Sequence, residues 1–348
     1  MQTPADGVST PKSKSASRSS APYQNSRYPL GCLTSARRRL SYRLLSKRRV
    51  PPSTPFQETL DQQKGALLLQ KQWTLYSVTP MHNFSYNKLK EYSKHLSATI
   101  AAEKQKGVAV DPGADFNLKA SFSCLPGLRG KEKDPTAVLV QIAGKSQTQH
   151  SKSGTEERIV WTGWFCGTYA EEDILEVIPQ TFTCLPLFLI NGSETFTTIV
   201  GTWFQQAFDC CFGKLVIRSH DLRWLAAMCA GYEVHGHVPT TELVFSVPVE
   251  PHMDISFAIH PEDFKTLWNN IQKSKDEVTV EEVEHLFQCL YSHFFRHFKI
   301  HLSATQLVKV TVAVVSAHCD GKVKFFSKDH LVRVLGFFTE IAINNIQY

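Results

Sequence analysis

The apolar positions along the chain change rhythm several times, and each change predicts an element. Leu89, Tyr92, Leu96 and Ile100 recur at helical spacing behind Ser85, which is placed to cap them. Leu67-Leu68-Leu69 begins a short helix before it. Residues 73–76, 116–122, 137–142, 159–166 and 182–190 are apolar or alternating runs of strand length, the last stopped by Asn191-Gly192. Residues 195–212 and 222–229 read as helices, and 242–247 and 255–259 return to strand. Pro261 fits a first helical position, followed by the acids Glu262 and Asp263 and an apolar face of Phe264, Leu267, Trp268 and Ile271. Thr279-Val280-Glu281-Glu282 has the form of a capping box opening the next helix. Leu331, Leu335, Phe338 and Ile341 mark a final one.

Strands come in adjacent groups with helices bunched around them, without regular alternation or internal repeat. That arrangement predicts an α+β fold on a mostly antiparallel or mixed sheet with packed helices. No apolar run approaches the ~20 residues needed to cross a bilayer, so no membrane is expected. Residues 1–58 are rich in Ser, Pro, Arg and Lys and read as a disordered basic tail, and residues 59–348 as a single globular domain.

Charge sharpens that division. The chain carries a net +6, but residues 1–50 hold eleven Lys/Arg against one acid, while the remainder holds 27 basic and 31 acidic residues. Arg37-Arg38-Arg39 and Lys47-Arg48-Arg49, with Arg43 between them, fit an acidic polymer such as DNA, or a bipartite nuclear import signal, or a solubilising tail. Ser41 behind Arg38-Arg39 would suit a basophilic kinase and Thr54-Pro55 a proline-directed one. Nine cysteines without repeated spacing or a Cys-x-x-Cys pair suit reduced, mostly buried thiols.

Candidate chemistry concentrates between residues 284 and 326. His285, Cys289, His293, His297 and His301 fall every four residues, and His293 with His297 could hold Zn²⁺. The ladder drifts around the helix, lacks a His-Glu-x-x-His string, and has Arg296 and Lys299 beside it, so no metal or cofactor is expected; zinc binding by His293 and His297 is the alternative. No nucleophile elbow, P-loop or dinucleotide-binding string is present. Trp161-Thr162-Gly163-Trp164-Phe165 suits either base stacking or core packing.

Beyond the histidines the pattern predicts a long valine hairpin, 307–315 returning as 322–326. Val308, Val310, Val312 and Val314 face one way and Lys309, Thr311 and Ala313 the other. A two-residue turn at Asp320-Gly321 sets His318 against Val323, Ser316 against Phe325, Ala317 against Lys324 and Cys319 against Lys322. The strand suits a sheet edge open to another chain, or a central position paired on both sides.

Several strings resemble the centromere protein L family of vertebrate kinetochore subunits. They are Lys71-Gln72-Trp73-Thr74-Leu75-Tyr76-Ser77, residues 161–166 and 182–189, Gly201-Thr202-Trp203-Phe204-Gln205, residues 254–263, and above all His297-Phe298-Lys299-Ile300-His301-Leu302-Ser303-Ala304-Thr305. The resemblance runs from about Asp61 to the C-terminus. It implies a curved, saddle-like α+β fold and a non-enzymatic scaffold of the nucleus, at the centromere and kinetochore of the chromosome. It implies a heterodimer with centromere protein N, within the constitutive centromere-associated network that also holds centromere protein C, on centromeric chromatin and DNA, serving chromosome segregation in mitosis. Because late strands take part in pairing in that family, it points to Lys309, Thr311, Ala313, Lys322 and Lys324 as partner-binding residues.

Overall fold

The computed structural model describes residues 47–49, 62–69, 71–105, 118–145, 157–169, 178–234, 239–251, 253–274 and 277–346. In chain order the elements are β1 (Lys47–Arg49), α1 (Gln62–Leu69), β2 (Gln72–Val78), β3 (Met81–His82), α2 (Leu89–Gln105), β4 (Lys119–Leu125), β5 (Ala137–Lys145), β6 (Glu157–Cys166), β7 (Phe182–Thr183) and β8 (Leu187–Gly192). There follow α3 (Glu194–Phe208), β9 (Phe212–Lys214), α4 (Ser219–Ala230), β10 (Thr241–Val247), β11 (Met253–Ile259), α5 (Pro261–Ile271), β12 (Glu277–Thr279), α6 (Val280–Phe298), β13 (Gln306–Thr311), β14 (Val315–His318), β15 (Lys322–Phe325) and α7 (Leu331–Asn345).

Eleven strands form one open sheet in the order β11-β10-β13-β14-β15-β2-β8-β6-β5-β4, with β9 also on β2. Every pairing in it is antiparallel. The fold is therefore α+β on a large antiparallel sheet.

The sheet has two halves with different burial. From β2 to β4 both faces are covered. Val138, Val140, Ile142, Trp161 and Phe165 enter one core with Leu96 and Ile100 of α2 and Trp203 and Phe204 of α3. Leu139, Trp164, Leu189 and Trp73 enter the other, with the apolar faces of α4, α6 and α7. Trp161-Thr162-Gly163-Trp164-Phe165 is thus core on both faces, too deep to stack a base. From β11 to β15 only one face is covered. Leu243, Phe245, Val310, Ala317, Val323 and Phe325 are buried there, and the alternate residues face solvent, as in the exposed-buried repeat of β15.

Several elements depart from expectation. Pro186 cannot donate to a ladder, and the strand expected at 182–190 is split into β7 and β8, with Asn191-Gly192 extending β8 rather than stopping it. The helix expected at 195–212 ends at Phe208, where Asp209 turns left-handed with φ 50°, and Phe212 belongs to β9. The strand expected at 116–122 lies at Lys119–Leu125.

The largest correction concerns the valine run. It is two strands, reversed through Val312, Ala313 and Val314, with Val312 N–H donating to Val315 C=O at 2.9 Å. Residues 306–325 make a three-stranded meander rather than a hairpin. The register differs from that expected by one residue: Val315 pairs with Phe325, Ser316 with Lys324 and Ala317 with Val323. The meander lies mid-sheet, and β11 and β4 are the edges. A bulge opposite Val244/Phe245 leaves Val308 only partly buried while Leu307 points inward. Gly321 does occupy the expected turn, with φ +83°; a Cβ there would also strike Leu215 C=O.

The boundary expected at residue 58 also changes. Lys47–Arg49 is strand β1, paired with β12 in register Lys47↔Thr279, Arg48↔Val278 and Arg49↔Glu277. Arg48 is not a solvated tail cation: it is 5% exposed. Its guanidinium lies 4.6 Å from the centroid of Phe337 on α7 and 5.2 Å from that of Trp224 on α4. Asp221 stands 3.6 Å away and shares itself with the exposed Arg218 at 2.9 Å. Burial lowers the Arg48 pKa, while Glu340 and Asp221 push it back up. Burial raises the Glu340 carboxyl, and Arg48 counters it. Two flat aromatic faces and two carboxylates suit the planar, weakly hydrated guanidinium better than an ammonium.

Arg48→Ala leaves Asp221 and Glu340 without their buried cation and should cost ~2–4 kcal/mol in urea unfolding, with Arg48→Lys recovering less than half. An unchanged midpoint for Arg48→Ala would show that the buried guanidinium adds nothing. At the start of α6, Thr279 Oγ1 accepts from Glu282 N–H at 3.3 Å, and Glu282 accepts from the N–H groups of Thr279 at 2.8 Å and Lys273 at 2.7 Å. Glu282→Ala strands two main-chain donors and should destabilise by ~2–3 kcal/mol, against ~1 for Thr279→Ala. Equal losses in the same titration would refute the ranking.

Candidate functional site

The half-covered sheet creates the most distinctive surface. Side chains alternate across each strand, so burying Leu243, Val310, Ala317 and Val323 forces Glu242, Lys309, Thr311, Ser316, His318, Lys322 and Lys324 onto the opposite, solvent-facing side. Cross-strand register then assembles them. Lys309 stands opposite His318, Thr311 opposite Ser316, Ser316 opposite Lys324, and Lys324 opposite Gln72. The sequence placed none of these neighbours together except within one hairpin, because β2 comes from some 250 residues earlier in the chain.

The face carries three lysines but much less free charge. Lys309 Nζ donates to Glu242 Oε2 at 2.7 Å, and Ser256 Oγ on β11 donates to Glu242 Oε1 at 2.7 Å. Those hydrogen bonds, Lys309 foremost, hold the Glu242 carboxyl below its ordinary value. Asp320 at the turn sits 2.7 Å from Lys322 Nζ and 2.6 Å from His318 Nδ1. Burial alone would raise the Asp320 carboxyl, but the bonds from Lys322 and His318 outweigh it and the net shift is downward. Asp320 in turn raises the Lys322 ammonium. Lys324 has no carboxylate partner among the described residues; its ammonium lies 5.8 Å from the ring centroid of Phe326. Thr311 and Ser316 hydroxyls share a 2.9 Å hydrogen bond. Gln72, Lys309, Ser316, His318, Lys322, Val323 and Lys324 line a half-open hollow of about 290 Å³. A hollow with paired charges and hydroxyls suits a polar macromolecular surface, recognised by matching hydrogen bonds, better than a small apolar ligand.

Of the five residues expected to meet a partner, Lys309, Thr311, Lys322 and Lys324 share this face. Ala313 does not: it lies in the reversal between β13 and β14 and packs against the core. Among the basic residues expected to meet DNA or an import receptor, Arg48 is withdrawn by its burial, and Lys47 and Arg49 flank it in β1. Arg37, Arg38, Arg39, Arg43, Ser41 and Thr54 lie outside the described residues.

The histidine ladder gathers no metal set. His293 and His297 stand side by side with ring centroids 4.6 Å apart, but no group of three His, Cys, Asp or Glu side chains able to hold an ion occurs among the described residues. Buried thiols are pushed away from the reactive thiolate form: burial raises Cys184 to about 11 and Cys210 to about 12.

One edge of the sheet borders this face. β11 hydrogen-bonds only to β10 among the described strands, so its outer row of main-chain groups is available to another chain. Nothing within residues 253–259 separates an edge strand from a central one, so its place at the edge depends on contacts with distant segments.

Comparison with known proteins places these features in a lineage. Residues 67–343 match the family described as CENP-L: Centromere protein L. The chain is 61% identical over 350 residues to Centromere protein L of Xenopus tropicalis, covering 100% of each chain. It is 52% identical over 317 residues to Centromere protein L of Homo sapiens, covering 90% of this chain and 91% of that one. It is 37% identical over 348 residues to Centromere protein L of Danio rerio, covering 99% and 92%. A match spanning both cores of the sheet, at these identities, shows that the chain belongs to the centromere protein L family.

Proposed function

We propose that this chain is a non-enzymatic structural subunit of the inner kinetochore. It pairs with centromere protein N and helps assemble the constitutive centromere-associated network, including centromere protein C, on centromeric chromatin in the nucleus. That assembly supports chromosome segregation in mitosis. Family membership supports the centromeric setting, since the relatives carry the name Centromere protein L. The observation that carries the scaffold reading is the half-sheet itself: one face buried, the other polar and hollowed, with the outer edge of β11 unpaired among the described strands. Such a surface offers another chain both main-chain hydrogen bonds and side-chain specificity.

In this reading Lys309, Thr311, Lys322 and Lys324 belong to the contact surface. Lys324 is the lysine with charge to offer a phosphate or a partner carboxylate, because Glu242 and Asp320 already occupy the other two. The basic residues Arg37, Arg38, Arg39, Arg43, Lys47 and Arg49 supply a second, sequence-independent attraction to DNA, and Ser41 and Thr54 are modification sites that would weaken it.

Co-expression with centromere protein N followed by size-exclusion chromatography tests the pairing. Thr311→Asp and Lys309→Glu place a carboxylate on the polar face without touching the core, and each should reduce co-elution at least about tenfold in apparent affinity, about 1.4 kcal/mol. Full co-elution of both variants would remove this face from the interface. For DNA, Lys324→Glu should lower the salt dependence of binding by ~0.9 in log–log slope, and Lys322→Glu by less, because Lys322 is already paired. Tail deletions should stop before residue 47, since removing β1 would also disturb the fold.

A further inference from the structure

A second surface lies at the far end of α6, where three large apolar side chains stand in solvent within six residues: Phe295 at 37%, Phe298 at 61% and Ile300 at 45% exposed. Single exposed apolar residues need no explanation, but a cluster ringed by polar groups marks a contact site. The cluster is built on a firm base. Phe298 packs against Phe294 with ring centroids 4.6 Å apart and planes tilted 36°, and Phe294, which is buried, meets Phe257 of β11 at 5.1 Å. Its rings are held in place rather than loose, with His301 stacked on Phe295 at 4.2 Å.

Two cations stand beside the cluster along the chain. Arg296 and Lys299 are exposed, and neither has a carboxylate partner among the described residues. Lys299 Nζ lies 5.6 Å from the Phe295 ring centroid. Its backbone is also telling. Lys299 caps α6 with φ 58°, a left-handed position where glycine is more comfortable, and its N–H closes on Phe295 C=O at 2.9 Å. A lysine there bears a local strain and places an ammonium beside the exposed ring.

We propose that this helix end is a docking site for an acidic segment of a partner polypeptide that carries aromatic or aliphatic anchors. The anchors would seat on Phe295, Phe298 and Ile300 while its carboxylates meet Arg296 and Lys299. Aromatic anchors with an arginine at their rim are the composition of interface hot spots. A second copy of this chain is a poor occupant, because a two-fold contact would press the same two cations together. Duplex DNA is a poor one too, because its phosphates would find two fixed cations and leave three apolar side chains unused.

The test uses the full chain and a fluorescent synthetic peptide alternating Glu and Asp with Phe and Ile, titrated by anisotropy. Controls are the same peptide with Lys replacing the acids, the acidic peptide with Ser replacing the anchors, and a labelled DNA duplex. The acidic, anchored peptide should bind, and Phe298→Ser and the Arg296→Glu/Lys299→Glu pair should each weaken it at least about tenfold while leaving the unfolding midpoint in place. Both changes lie on exposed side chains, so folding survives them, and neither lies on the β11–β15 polar face, so co-elution with centromere protein N reports separately. Equal binding of the lysine or serine control, or binding indifferent to both variants, overturns the proposal. So does DNA binding that falls with the same variants, or a concentration-dependent dimer lost in Phe298→Ser.

Discussion

The two halves of the sheet meet only through β2 among the described strands, and the main-chain bonds of that strand hold the architecture together. β2 takes β8 along one side through four residue pairs from Thr74 to Ser77. Along its other side it takes β15 near its start, then the Gly321 turn, then β9. Leu75 N–H donates to Gly321 C=O at 2.9 Å, and Leu75 C=O accepts from Leu215 N–H at 3.0 Å. Trp73 fixes the strand sideways, bonding Leu68 C=O through its indole N–H at 2.9 Å and meeting Trp164 edge-on at 5.7 Å. A strand of seven residues thus couples a half buried on both faces to a half buried on one.

That asymmetry explains where the exposed polar face arises. The doubly covered half has little spare face: most side chains of its strands enter one core or the other, with Lys119, Ser121, Arg158 and Ile159 exposed on β4 and β6. The singly covered half must present its alternate positions to water, and the chain fills them with lysines, hydroxyls and carboxylates, Glu242 pairing with Lys309 across strands and Asp320 with Lys322 at the turn. The α6 helix that covers the inner face ends in exposed aromatics. The exposed polar positions and the exposed aromatics therefore lie on opposite sides of the same five strands.

Much of this was legible where chemistry is local. The Thr279–Glu282 box, Pro261 at the first turn of α5 and Gly321 in its turn are each specified by residues within a few positions of one another. The failures have equally specific causes. The reversal at residues 312–314 is built from Val, Ala and Val, because it is buried, and it carries none of the turn residues that announce an exposed bend. Pro186 did announce the break between β7 and β8, but the apolar residues around it masked the signal. Arg48 sits among other basic residues and looks like them; its carboxylate and aromatic partners lie on helices far along the chain. The placement of β15 against β2 likewise depends on contacts between distant segments, and with it the assembly of the polar face.

The anchoring of Arg48 has a geometric consequence. Trp224 and Phe337 belong to the core behind the β11–β15 half-sheet, so the Arg48 guanidinium sits on the helical side, away from Lys309 and Lys324. A count of charges would merge this cation with those lysines, yet the sheet stands between them. A polyanion lying on the polar face meets Lys324 and not Arg48, because a guanidinium enclosed by two rings and its own carboxylates is hidden from whatever approaches through water.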